Sequence, residues 1–168
     1  MEKEVVYNVL DIARYVVEYC IKQDADISQI QLQKMIYYIQ ANFLVKRNGI
    51  PCFKEEILNW AYGPVVREVY DEFRKYGSNK ITAVPDVKEI EVDDDFNFVY
   101  KILPFDSSII KECDKLLINE VVDKYRKEDA FVLVEKTHNE GPWKQTGRNE
   151  EIETELIFDY YKNNLEDL

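Results

Sequence analysis

His138 is the single histidine in a chain of 168 residues, so any imidazole chemistry rests on one ring. General acid–base work, an activated nucleophile or a zinc centre each needs further converging groups, and no second histidine completes the usual sets. Its position just before Gly141-Pro142 predicts instead a ring at a helix end, hydrogen-bonded to backbone near that turn. Asp93, Asp95 and Asn97 alternate like the first oxygen ligands of a calcium loop, but Phe98 replaces the required glycine and Pro104 the bidentate glutamate, which leaves a solvated hairpin tip. Cys20, Cys52 and Cys113 are odd in number and far apart, fitting neither a disulfide framework nor a zinc cluster and pointing to a reducing compartment. The five glycines form no phosphate-cradling loop, dinucleotide fingerprint or serine elbow. No catalytic, cofactor or metal site is expected, and the chain is read as a binding protein. The enzymatic alternative is a small hydrolase using Asp and Glu groups that folding brings together.

Charge narrows the partners. Residues 1–84 carry 11 basic and 11 acidic groups and residues 85–168 carry 11 and 22, so the net charge of −11 comes entirely from the second half. Such a field repels phosphate backbones and anionic membranes and attracts cationic partners, which argues against direct nucleic-acid or membrane binding. Charged residues make up 33% and hydrophobic ones 46%, enough apolar material for one folded domain over 1–168. The opening Met1-Glu2-Lys3-Glu4 does not resemble a signal peptide, and no apolar run of membrane-spanning length occurs, so a cytoplasmic location is expected.

Hydrophobic spacing then supplies the framework: a mainly α (α+β) fold, a compact bundle of about six helices with a small β-hairpin around 80–103. Val5 to Cys20 recur at helical intervals, predicting a first helix over 4–22. Ser28 and Gln31 form a capping-box pattern for a second, ending at Asn48-Gly49. Residues 50–61 read as loop and short extended segment, and Gly63-Pro64 as the start of a third helix, because proline suits a first helical turn. Asp106-Ser107 is expected to cap a helix over 108–126 with Ile109, Ile110, Cys113, Leu116, Leu117, Val121 and Val122 inside, and Asp129 one over 130–138; the last covers 151–164.

Three segments stand out on that frame: Leu32-Gln33-Lys34-Met35-Ile36-Tyr37-Tyr38-Ile39-Gln40, Trp60-Ala61-Tyr62-Gly63-Pro64-Val65-Val66, and Thr137-His138-Asn139-Glu140-Gly141-Pro142-Trp143. Each has a packing explanation. Leu32, Met35, Ile36 and Ile39 form a core stripe flanked by Tyr37, with Gln33 and Lys34 off it and free to meet a partner. Gly63 and Pro64 shape a turn around which Trp60 and Tyr62 bury their rings, or on which Tyr62 is displayed as a binding anchor. Trp143, following Pro142, reads as a lid on the core.

In order and separation the three segments resemble the Panacea, or SocA-like, antitoxin domain, with the likeness reaching roughly from Ser28 to Leu165. That resemblance implies a non-enzymatic antitoxin that binds a protein toxin, often encoded beside it, and either inhibits it directly or delivers it to a protease. Carried over by motif, the candidate partner-binding residues are Gln33, Lys34, Tyr37, Trp60, Tyr62, Gly63, Pro64, His138, Pro142 and Trp143. Arg67 departs from the proline common in the family after Gly-Pro-Val-Val. A phage-associated protein acting on host proteins without a toxin is the second reading, and the tyrosine-rich surface is compatible with a homodimer.

Overall fold

A computed structural model describes residues 4–168 and holds seven α-helices and two separate β-hairpins among them. Helix α1 (Val9–Lys22) is capped by the Asn8 side chain, so the chain before it is not helical; Tyr7 instead bridges to Phe53. The predicted start near residue 4 is thereby corrected, because a cap oxygen on Leu10 N–H fixes the boundary that apolar spacing alone blurred. Helix α2 (Gln29–Lys46) begins as expected, with the reciprocal Ser28 and Gln31 capping box. Gly49 follows its end at φ 92°, the left-handed conformation glycine accepts.

The centre of the molecule is α2 itself. Contacts with α1, with α3 (Arg67–Phe73), α4 (Glu112–Tyr125), α5 (Ala130–Asn139) and α7 (Thr154–Asn163) bury it on every side. Residues Leu32 to Leu44 are all buried, the polar ones included. Surrounded this way, a helix cannot afford a water-facing side, and its polar groups must find partners within the protein.

Residues 57–66 differ most from expectation. Strand β1 (Ile57–Trp60) pairs antiparallel with β2 (Gly63–Val66), with Trp60 opposite Gly63, so Gly63-Pro64 lies in a strand and the helix starts only at Arg67. Only Gly63 takes positive φ here, at 97°, so the two-residue turn Ala61-Tyr62 enters β2 through a glycine that accepts this conformation, in an unbroken register. Proline tolerates this place because the protein does not call on its absent N–H, while its carbonyl is used. Arg67, at the departure from the family pattern, sits over the Trp60 ring at 5.5 Å.

The hairpin expected around 80–103 is present as β3 (Val87–Val92) and β4 (Phe98–Leu103), with Asp93 Oδ1 accepting the backbone N–H groups of Asp95 and Asn97 at its tip. No group of residues able to hold a metal occurs among the described residues. Helix α4 starts four residues later than expected, Asp106 capping only a single tight turn at 107–109. Its buried face is partly rotated: Ile110, Val121 and Val122 are inside as expected, but Ile109, Cys113 and Leu116 are exposed, and Asp114, Ile118 and Tyr125 are inside instead. Asp114 explains the rotation, since its buried carboxylate accepts from Tyr7 Oη and from the Arg47 guanidinium. Gly141-Pro142 ends α5 as expected but also opens a short helix, α6 (Gly141–Gln145). No helix is long and apolar enough to cross a membrane among the described residues.

Candidate docking site

Gln33 and Lys34, placed by spacing outside the core stripe, are buried and hold the Trp60 to Val66 hairpin from below. The Gln33 amide accepts from Val66 N at 2.9 Å and donates to Val66 O at 3.1 Å, acting as the missing neighbour strand for β2. Lys34 is 1% exposed and donates from Nζ to Pro64 O at 2.9 Å. Two side chains on one turn of α2 thus satisfy the free edge of β2, which is why they do not face water.

Burial pushes the Lys34 ammonium down to about 7. Unfolded, the same amine keeps its proton to the ordinary 10.5, so between those values the unfolded chain holds more protons and stability rises with pH; it is lost again as pH falls through 7. Relative to Lys34→Met, the wild-type protein is expected to gain about 2 kcal/mol between pH 7 and pH 9, read from urea midpoints at both values. Parallel pH profiles would show that Lys34 keeps its ordinary basicity.

From above, the third motif fastens onto the same hairpin. His138 and Trp143 stack at 3.9 Å, Trp143 Nε1 donates to Trp60 O at 3.2 Å, and His138 is hydrogen-bonded to the Ala61 backbone. The backbone that holds His138 therefore belongs to the other Gly-Pro turn, not to the one beside it in sequence. Burial first and the nearby Lys34 second lower the His138 pKa, favouring the neutral ring, while its bond to the Ala61 backbone works against them. Asn59 completes the clamp, its amide donating to Trp143 O at 3.1 Å and Thr146 O at 2.5 Å.

What this framework displays is Tyr62, 61% exposed at the turn and edge-on to Phe131, which is 62% exposed at the start of α5. Beside it lies a mostly apolar cavity of about 280 Å³ lined by Ile30, Lys34, Trp60, Tyr62, Val65 and Tyr70, among others. The structure therefore separates the motif residues into two groups. Tyr62, with half-buried Trp60, His138 and Trp143, reaches the surface, whereas Gln33, Tyr37, Gly63, Pro64 and Pro142 are interior. Tyr37 is 1% exposed, its Oη 3.3 Å from Tyr161 Oη, so it serves the core.

Glu140, within the third motif, was not singled out by sequence reasoning. Its buried carboxylate accepts from Tyr38 Oη at 3.0 Å, from Tyr161 Oη and from Lys136 Nζ at 2.5 Å. Burial raises its pKa while Lys136 and the two tyrosines pull it back. A glutamate directly before Gly-Pro and four residues after Lys136 was the only local signal, and its tyrosine partners gave none. Its partners stand 102 and 21 residues away in Tyr38 and Tyr161, beyond any local pattern.

Three sequence motifs thus converge on one displayed turn in a mainly helical domain built around a fully enclosed helix. The chain belongs to the family described as antitoxin SocA-like, Panacea domain, which matches residues 32–144. That span opens at Leu32 of the first motif and closes one residue beyond Trp143 of the third. Neither the curated proteins nor the solved structures compared with the chain contain a match.

Proposed function

We propose that the chain is an antitoxin that neutralises a protein toxin by binding it, and that the contact is made by the Tyr62 turn, Phe131 and the apolar cavity beside them. The observation that carries this reading is the convergence of all three family motifs on the support of a single exposed aromatic turn. Lys34, Gln33, His138 and Trp143 each hold backbone of residues 60–66 in place, which removes the ordering cost of binding before a partner arrives. Aromatic rings on such a mount give large contact area with few rotatable bonds. Direct occlusion fits this rigid surface better than delivery to a protease, which needs no particular preformed pocket. The chain carries out no covalent chemistry in this account.

The test is coexpression. A gene neighbouring this one, toxic when induced alone, is expected to become harmless when both are induced, and the two products are expected to copurify. A neighbour harmless on its own, or one whose toxicity this chain leaves unchanged, would contradict the proposal.

A further inference from the structure

Strands β3 and β4 carry a face that none of the described residues covers. Opposed residues of an antiparallel pair share a side, so Ile90 with Tyr100 and Val92 with Phe98 lie on one face, continued by Ile102. These five side chains are between 57% and 74% exposed, and Phe96 at the tip is 88% exposed. Glu89, Glu91 and Lys101 occupy the opposite face together with Val99. The sequence therefore alternates like that of a strand pair with one buried side, yet the side that should be buried is open. Exposed apolar clusters of this kind on a folded protein mark places where another molecule sits.

The base of this arm is fixed. Val84 and Phe105, just before and after the strands, pack against the core, and Pro85 is buried. A two-stranded ribbon holds poorly by itself in water, so a ribbon anchored only at its base gains most from a partner along its length.

We infer that the apolar face of β3 and β4 is a second docking surface for the toxin, taking an apolar strip flanked by lysine or arginine. Charge selects that occupant. Residues 86–103 hold six acidic groups against two lysines, a local net charge of −4: Asp86 at the base and Asp93, Asp94 and Asp95 at the tip flank the apolar face, Lys88 lies on it opposite Ile102, and Glu89, Glu91 and Lys101 are on the other side. A second copy of the chain would bring another −4 against it, and an anionic lipid surface would be repelled in the same way. A cationic protein satisfies both the apolar face and its acidic border.

The inference rests on the antitoxin reading, and the experiment separates the two. The wild-type chain and the double variant Phe98→Ser, Tyr100→Ser are titrated into the toxin identified by coexpression, and each is sized alone by light scattering. Both changed side chains are exposed, so the variant's thermal midpoint should match the wild type. Expected results are a wild-type monomer and at least about a hundredfold weaker toxin binding by the variant, two aromatic anchors being lost. Equal binding by both forms would overturn the second surface and leave the antitoxin assignment standing. A wild-type dimer that the double variant dissolves would assign the face to self-association and overturn it as well. If no neighbouring product is neutralised at all, both readings fall together.

Discussion

Replacing Glu140 by alanine is expected to lower folding stability by about 3 kcal/mol or more, the cost of leaving buried partners without their acceptor. Three groups converge on this carboxylate: Tyr38 and Tyr161 from the two helices on either side, and Lys136 from one turn earlier in α5. Tyr38 further stacks on Tyr125 at 4.7 Å and meets Tyr161 edge-on, so the anchor organises the joint between α2, α4 and α7. Glu140→Gln separates geometry from charge. Burial raises the Glu140 pKa, and a carboxyl raised in this way lends stability below its ordinary value of 4.5 that is lost as pH rises through the folded value. The fold thus favours the neutral carboxyl over the charged one, and glutamine, which is neutral and keeps an acceptor oxygen, should cost well under half as much as alanine. Urea midpoints for the two variants decide it. Equal losses would mean that charge pairing, not the acceptor geometry, holds the joint.

Gly63→Ala carries the other large effect, again about 3 kcal/mol or more, from positive-φ strain and overpacking together. At φ 97° any side chain is strained, and here a Cβ would also stand 2.6 Å from Thr137 Oγ1 and 2.8 Å from Lys34 Cε. Neither neighbour yields readily: Thr137 is fixed by its bond to Val134 O at 2.9 Å and Lys34 by its bond to Pro64. Gly77 provides the comparison, with φ 55° and ψ −123° but nothing within 4 Å of an added Cβ, so Gly77→Ala should cost backbone strain alone, about 2 kcal/mol, with no packing penalty added. A chain of this length loses roughly 2–4 °C of Tm per kcal/mol, so the two alanine variants should melt a few degrees apart. Similar midpoints would show that α2, α5 and β2 are not packed as tightly at Gly63 as the structure has them.

These two residues also show where the sequence could be read and where it could not. The capping box at Ser28, the glycine stop at Gly49 and the alternation of 87–103 each depend on residues within a few positions of one another, and each was legible. Gly63-Pro64 misled because a glycine-proline pair suits a helix start as well as the exit of a tight turn into a strand. Only Gln33 and Lys34, some 30 residues earlier, select the strand. The same reason hid the docking site's foundation. A polar residue on a helix normally faces water, and the reversal at Gln33, Lys34 and Asp114 follows from partners on distant segments, which periodicity does not register. The motifs were visible as a set, but which of their residues face outward was decided by packing.

Titration of the purified toxin with the wild-type chain and with Tyr62→Ala is the most direct measurement of the central claim. Tyr62 is exposed and its removal should leave the fold intact, while toxin affinity is expected to fall about tenfold or more, as for a central aromatic anchor. Undiminished affinity, in a variant with the wild-type melting temperature, would show that the turn on which the three motifs converge is not the surface that meets the toxin.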